Sequence, residues 1–319
     1  MSVAHLATGP AAPLEAERAE VERRLAAGEF FWLDVTEPEE HDTALLGEMF
    51  GFHPLALEDS LKFGQRPKIE EYDGFAYIVV FGAAHDADRL VEVHCFYSER
   101  CLVTVHRDDC PPFADLRRRQ ARHAAQPPRP IELLHQVVDV LTDSFFPALD
   151  DLEDAIDAIE DRLDGDASTR QQQDIYALKR RALTLRKVIG PQRDLVARIA
   201  GETVELPGLT PDAVHYFRDV YDHLIRLGDL IETHRDLLAG ATEVYLSTVS
   251  NRLNAIMKQL TLIATIFLPL TFVTGFFGQN FGWMVDHVGS LWAFLLFGLA
   301  GQLVVLVALV AWFRRRGWL

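Results

Sequence analysis

The sequence predicts an α+β domain, then long α-helices, then a C-terminal hairpin of two transmembrane helices. Short β-branched and aromatic runs between turn residues occupy residues 30–130, which is typical of strands in a mixed domain. From residue 131 onward, apolar residues recur at helical spacing instead. Near the C-terminus, residues 259–285 and 288–313 contain no Asp, Glu, Lys or Arg. The last observation predicts that the chain enters a membrane.

The charge of the chain excludes several functional classes. The 319 residues include 31 Lys and Arg against 47 Asp and Glu, a formal net charge of −16. Because a nucleic-acid-binding protein needs a basic face, we predict no nucleic-acid partner, whereas a cation is compatible with this acidity. No Walker loop, G-x-S-x-G elbow or Cys-x-x-Cys pair occurs. We therefore predict neither an enzyme nor a resident cofactor.

The N-terminal part divides into two predicted segments. Residues 1–29 are rich in Ala, Pro and Glu and lack the basic start and apolar core of a signal peptide, so we predict a flexible lead-in. Residues 30–130 are predicted to form a cytoplasmic α/β domain in which the cysteines are buried free thiols. The predicted strands are Phe31–Val35, Phe75–Phe81, Leu90–Tyr97 and Cys101–His106, and the predicted helices are 13–27, 38–50 and 53–62.

Residues 131–258 are predicted to form a stalk of long helices. Helical periodicity runs through 131–164 and 171–199, and a third stretch after Pro211 shows no strong breaker before the membrane. A helix of about 65 residues would be ~95 Å long at 1.5 Å per residue. Such a helix is unstable alone, so it must pack against neighbouring helices or other subunits. The seam that would mediate this packing consists of Leu224, Leu227, Ile231 and Leu238.

The two C-terminal apolar stretches are predicted to be transmembrane helices, at 259–277 and 291–313, joined by an external loop at 278–290. Each is close to the roughly 20 residues needed to cross the hydrocarbon core. The loop has no Lys or Arg, and a basic tail at 314–319 follows the second span. The positive-inside rule therefore places both termini in the cytoplasm and the protein in the inner membrane. Basic residues flanking the spans are Arg252, Lys258, Arg314, Arg315 and Arg316, and tryptophans near the span ends are Trp283, Trp292, Trp312 and Trp318.

The first span has two different faces on a helical wheel. One face mixes small, hydroxyl and amide side chains, which suits either close helix packing or a water-lined path, and spacing alone slightly favours packing. The opposite face is bulky and suits lipid or the second span. The mixed face contains Asn254, Met257, Thr261, Ala264, Leu268, Thr271 and Gly275, and the bulky face contains Ile256, Ile263, Ile266, Phe267, Leu270 and Val273. Gly278-Gln279-Asn280 follows directly, in a loop whose only charged residue is Asp286.

These residues resemble a known family. The segment 245–281, YLSTVSNRLNAIMKQLTLIATIFLPLTFVTGFFGQNF, resembles the first membrane helix and signature loop of the CorA family of divalent-cation transporters. Further matches are Tyr216–His223, Gln65–Glu70, His53–Asp59 and the tail Arg314–Leu319. The resemblance implies a homopentamer in which five first spans line a pore beneath a cytoplasmic funnel. It implies transport of Mg²⁺, and also of Co²⁺ or Ni²⁺, gated by intracellular divalent ions.

The resemblance also implies roles for single residues. Gly278, Gln279 and Asn280 would form the selectivity filter, with Asn280 holding the hydrated ion. Asp219, with Asp86 or Asp88, would hold a regulatory ion, although Asp219 could instead pair with Arg218 or Arg226 on the surface. Glu243 would lie near the inner mouth. The pore-facing positions implied by the family are Asn254, Met257, Leu260, Leu268 and Thr271, and the wheel adds Thr261 and places Leu260 at the edge of the mixed face.

The signature loop departs from the family pattern at one position. Gln279 stands where the main magnesium branch has Met and where a zinc-transporting branch has Ile. The transported ion is therefore open, with proton-coupled Zn²⁺ transport as the alternative. A third interpretation, a membrane-anchored sensor or scaffold, predicts no ion flux.

Overall fold

A computed structural model describes residues 3–6, 12–84, 89–122, 129–163 and 168–318. These residues divide into two compact units, Met1–Thr242 and Glu243–Leu319. Each unit has its own architecture.

The first unit contains a six-stranded sheet within the described ranges. The strands are β1 (Val3–Leu6), β2 (Phe31–Thr36), β3 (Lys68–Tyr72), β4 (Phe75–Ala83), β5 (Leu90–Tyr97) and β6 (Cys101–His106), in the order β1-β2-β6-β5-β4-β3. Among these described strands, only β2 and β6 pair in parallel. The four predicted strands are confirmed because their continuous β-branched and aromatic runs form the buried centre of the sheet, and all three cysteines are buried and free. Strand β3 was not predicted, since its sequence KIEEY carries three charges.

The prediction of a flexible lead-in at residues 1–29 is wrong for the described part of that segment. Strand β1 pairs antiparallel with β2 at the edge of the sheet, and helix α1 (Leu14–Ala27) follows it. The strand forms because successive side chains in Val3–Leu6 point to opposite faces of the sheet. Ala4 and Leu6 face the core, where they are 0% and 5% exposed. This N-terminal segment is therefore part of the α/β core.

Helices cover the sheet and continue toward the C-terminus. They are α2 (Glu40–Phe50), α3 (Pro54–Leu61), α4 (Pro111–Arg122), α5 (Pro130–Asp143), α6 (Phe145–Leu163), α7 (Thr169–Ala200) and α8 (Pro211–Phe277). The predicted helix at 131–164 is two helices that break at Ser144. Pro147 explains the break, because it has no N–H to donate to the Asp143 carbonyl one turn earlier. The long helix is confirmed at 67 residues, and its predicted seam is buried.

Two close contacts fix the helices against β4. A Cβ on Gly82 would lie 2.8 Å from Leu141 Cδ2 and 2.9 Å from Ser144 Oγ, so only glycine lets the end of α5 approach the strand. Strand β3 pairs with β4 only as far as Val79. Beyond that point the fully buried Gln192 of α7 replaces it: its Oε1 accepts from Phe81 N at 2.7 Å and its Nε2 donates to Phe81 O at 3.2 Å.

The second unit contains the C-terminal part of α8 and two further helices, α9 (Gly282–Val288) and α10 (Leu291–Arg315). Helices α8 and α10 are long and apolar enough to cross a membrane, with mean hydropathies of 2.0 and 2.6 in their most apolar windows. Two features differ from the sequence prediction. The loop at 278–290 contains the short helix α9, and α10 has a π-helical stretch at Phe294–Ala300.

Candidate ion pathway and cation site

The first apolar span presents its mixed face to the outside of the single chain. Every predicted pore-facing position on α8 is exposed, and Met257, Leu260 and Leu268 are 57%, 66% and 71% exposed. These exposed positions are Asn254, Met257, Leu260, Thr261, Leu268 and Thr271. Nothing in the described second unit packs over this face.

A different face of the same helix meets the second span. Lys258 Nζ donates to Gly317 O at 3.3 Å, and the Phe277 and Phe297 rings stack with centroids 6.1 Å apart. The half-buried residues between Lys258 and Phe277 lie on this side: Leu262, Thr265, Ile266, Pro269, Leu270 and Val273. The bulky face of the wheel therefore has two parts. Ile266, Leu270 and Val273 lie toward the second span, whereas Ile256, Ile263 and Phe267 stay exposed, as lipid-facing residues would be.

The threonines of the mixed face are oriented by their own helix. Thr261 Oγ1 donates to the Met257 carbonyl at 2.8 Å, and Thr271 Oγ1 donates to the Phe267 carbonyl at 2.7 Å. Because each hydroxyl proton is engaged, the hydroxyl oxygen offers only lone pairs to whatever lies beside this face. Such oxygens accept hydrogen bonds from water and are compatible with a hydrated cation.

The signature tripeptide ends the first span. Gly278 N donates to Thr274 O at 2.9 Å, and a Cβ on Gly278 would lie 3.0 Å from the same oxygen, so the turn favours glycine. Gln279 and Asn280 follow without helical structure and are exposed. Neither side-chain amide bonds to another described residue, so both are available for ligands or for neighbouring subunits.

A candidate cation site lies in the first unit, between α5 and α8. Asp139, Asp143 and His223 offer ligand atoms that all lie within 4.8 Å of one another. His223 Nδ1 is 3.0 Å from Asp143 Oδ1, and its Nε2 is 3.9 Å from Asp219 Oδ2. Two carboxylates and an imidazole at this spacing form a donor set for a divalent cation, and the Asp219 carboxylate lies on the other side of the imidazole.

The pKa values at this cluster indicate that its carboxylates repel one another. Burial raises the pKa of Asp139, and the neighbouring Asp143 carboxylate raises it further. Burial lowers the pKa of His135 on the same helix, despite the opposing effect of Asp139 and Asp219. A cation bound among these carboxylates would relieve their mutual repulsion.

The predicted regulatory residues are only partly brought together. Asp219 lies beside His223, with its side chain 70% exposed, and Arg226 stacks instead on the Phe146 ring at 5.5 Å. Asp86 and Asp88 lie outside the described residues. Glu243 is exposed in the second unit. The sequence prediction missed Asp139, Asp143 and His223 as a set; the spacing of Asp139 and Asp143 by four residues was the available signal.

Comparisons with known proteins cover nearly the whole chain. A family profile described as CorA-like Mg²⁺ transporter protein matches residues 27–315. YfjQ of Bacillus subtilis strain 168 is 34% identical over 290 residues, covering 91% of this chain and 90% of the relative. The cobalt/magnesium transport protein CorA of Thermotoga maritima is 35% identical over 295 residues, covering 90% of this chain and 83% of the relative.

A solved structure shares the fold. The structure of the CorA magnesium transporter from Methanocaldococcus jannaschii superposes with a TM-score of 0.81 at 24% identity and covers 91% of this chain and 92% of that one. At this sequence identity the match shows that the two chains share a fold, which consists of a soluble α/β domain, a long helix and C-terminal apolar helices.

Proposed function

This chain belongs to the CorA family of divalent metal cation transporters, and we propose that it conducts hydrated Mg²⁺, with Co²⁺ and Ni²⁺, through a homopentameric pore. The family match confirms the resemblance drawn from the signature residues. A family of transporters also agrees with the prediction that the chain is not an enzyme. The proposed setting is the inner membrane, with both termini in the cytoplasm, because the basic flanks lie at one end of the spans.

One observation carries the proposal. The mixed face of the first span is exposed along its length, while a different face contacts the second span. Fivefold association through α8 would enclose this face around a central axis. Its exposed apolar side chains and lone-pair oxygens would then line the path of the ion, and the loss of exposed apolar surface would stabilise the assembly.

The residues of the face suggest how a hydrated ion would pass. Mg²⁺ dehydrates reluctantly and keeps its waters. A ring of Asn280 amide oxygens would accept hydrogen bonds from those waters without removing them. Rings of Met257, Leu260 and Leu268 would form an apolar constriction that closes by dewetting, and Thr261 and Thr271 would offer oxygens between them.

The filter is tested by replacing Asn280 with Ala. We expect Asn280→Ala to abolish most Mg²⁺ and Co²⁺ uptake into proteoliposomes while the oligomer stays intact on size-exclusion chromatography, because the variant loses the amide ring. Gln279→Met is the matched control, and we expect a mild effect on rate. Wild-type flux in Asn280→Ala would refute the filter. Including Zn²⁺ with and without a pH gradient tests the zinc alternative, and no flux of any ion would favour a sensor or scaffold.

We propose further that the cluster at α5 and α8 binds a regulatory divalent ion. Asp139, Asp143 and His223 would supply the ligands, with Asp219 beside them and with Asp86 or Asp88 as candidate ligands of a neighbouring subunit. Bound ion would stabilise the closed pentamer, and its loss at low intracellular Mg²⁺ would favour opening. Because His223 provides nitrogen, which suits Co²⁺ and Ni²⁺ better than Mg²⁺, Co²⁺ should occupy this site at lower concentration.

Limited proteolysis of the full-length protein tests this site. We expect Co²⁺ to protect the wild type at lower concentrations than Mg²⁺, and we expect His223→Ala to remove most of that difference. Asp219→Ala and Asp143→Asn should weaken protection by both ions and reduce closure of the channel by Mg²⁺. Asp222→Asn, which removes an exposed charge next to His223, is the control. Unchanged protection in all three site variants would exclude the cluster as the regulatory site.

A further inference from the structure

The C-terminal end of α10 is a fixed turn. Gly317 has φ +67°, the Trp318 N–H donates to Phe313 O at 3.0 Å, and the Gly317 N–H donates to Arg314 O at 3.1 Å, which is the pattern of a Schellman motif. The Trp318 ring stacks on Phe313 with centroids 5.8 Å apart, and Phe313 is 1% exposed. The residues between these anchors therefore have defined positions.

This turn presents a concentration of positive charge, which we call the basic turn: Lys258 and Arg314, Arg315 and Arg316. All three arginines are exposed, and among the described residues none of them pairs with a carboxylate. The Arg316 guanidinium lies over the Trp312 ring at 5.3 Å, and Lys258 keeps two ammonium protons beyond its bond to Gly317 O. Cations are also favoured here by the carbonyl end of the helix dipole.

The surroundings of the basic turn are those of a lipid headgroup region. It follows an apolar span directly, and Trp312 and Trp318 are 48% and 39% exposed beside it, as amphipathic rings are at a membrane interface. The only acidic residues of the second unit are Glu243 and Asp286. Asp286 follows the other end of the first span, and residues 287–318 contain no Asp or Glu side chain.

We propose that the basic turn binds the phosphodiester headgroups of anionic phospholipids in the leaflet at the cytoplasmic end of the spans. This inference rests on the membrane topology of the proposed function. A guanidinium donates two parallel hydrogen bonds to phosphate oxygens, and Arg315 and Arg316 are free to do so on adjacent sides of the last helical turn. A zwitterionic headgroup offers the same phosphate but adds a cation that the turn would repel.

The distribution of charge along the chain explains why binding of anionic lipid at the basic turn would help the protein. The second unit holds five basic and two acidic residues, a formal charge of +3. Because the whole chain has a formal charge of −16, residues 1–242 carry −19. An anionic bilayer surface repels so acidic a unit. A basic turn at the end of the second span offsets this repulsion locally and holds the span at a defined depth.

Native mass spectrometry of the full-length protein in mixed micelles tests the proposal. The micelles contain equimolar phosphatidylglycerol and phosphatidylcholine, and the measured quantity is the ratio of the two lipids retained. Each removed charge should lower the preference about fivefold, so Arg315→Gln with Arg316→Gln should lower the ratio about 25-fold. The double Arg→Lys variant should lose less, because it keeps the charge. Asp286→Asn is the control and should leave the ratio unchanged.

Three results would overturn the proposal. They are equal retention of both lipids by the wild type, a wild-type ratio in the double Gln variant, and displacement of phosphatidylglycerol by millimolar inorganic phosphate, which would indicate a site for free phosphate. Ion flux measured in parallel separates the two proposals. In the wild type, equal retention of both lipids with normal flux refutes only the lipid site, whereas a lipid preference without flux refutes the transport function.

Discussion

Gln192 provides the sharpest test of how the helices are held on the sheet. Its side chain takes the place of a strand next to Phe81, accepting from the Phe81 N–H at 2.7 Å and donating to the Phe81 carbonyl at 3.2 Å. It also donates to Thr142 Oγ1 at 3.3 Å and thereby joins α7, β4 and α5. Gln192→Ala leaves two buried backbone groups of Phe81 unsatisfied.

The cost of this substitution follows from those two groups. An unsatisfied buried donor or acceptor costs about 1–3 kcal/mol, so Gln192→Ala should lower the free energy of unfolding of the α/β unit by about 2–6 kcal/mol. Gln192→Glu should be worse, because it places an acceptor against the Phe81 carbonyl and buries a charge. We expect a lower melting temperature and faster hydrogen exchange at the Phe81 amide.

The control for Gln192 is Gln173 on the same helix, which is exposed. Gln173→Ala should change the melting temperature and the Phe81 exchange rate little. If Gln192→Ala behaved like Gln173→Ala in both measurements, the side chain would not act as a strand substitute. Water entering the site would then be satisfying the Phe81 groups.

Two further predictions concern pH and gating. Burial opposes the charge on both His106 and Asp34, but His106 and Arg117 together hold the pKa of Asp34 low, and the Asp34 carboxylate raises the pKa of His106. The His106 contribution to stability is therefore full below about pH 6.5 and lost as pH rises through its raised pKa, so His106→Gln should flatten the alkaline fall in melting temperature. At the constriction, Met257→Asn or Leu268→Asn should wet the apolar ring and raise resting conductance in planar bilayers, whereas Met257→Leu should not. Unchanged currents in both Asn variants would show that these side chains pack against protein.

The sequence predicted those elements of the fold whose pattern is set by residues close together in the chain. Strands β4 and β5 are long β-branched and aromatic runs, and α8 is an uninterrupted helical pattern, so local periodicity was sufficient. Strand β1 was missed because four residues at a sheet edge carry little pattern of their own. The break at Ser144 was missed because a single proline within a strong helical pattern can end the helix or only kink it.

The candidate cation site could not be predicted from local patterns in the sequence. Asp139 and Asp143 share a helix face by spacing alone, but His223 is 80 residues from Asp143 and meets it only after α5 and α8 pack together. Twelve histidines are scattered along the chain, so no local rule singles out this one. The exposed mixed face of α8 was visible in the sequence, but packing and pore lining predict the same residue types there. The position of the second span on another face excludes only packing of the mixed face against that span.

The proposed function places two conflicting demands on the chain, and its charges are arranged accordingly. A divalent cation must be attracted from dilute solution, yet it must not be held in the pore. Residues 1–242 carry a formal charge of −19, which concentrates cations near them, and the cluster of Asp139, Asp143 and His223 adds a site with full charges. By contrast, residues 259–285 carry no charged side chain. Asn280, Thr271 and Thr261 can therefore contact a hydrated ion only through neutral oxygens, which bind its water shell weakly enough to release it.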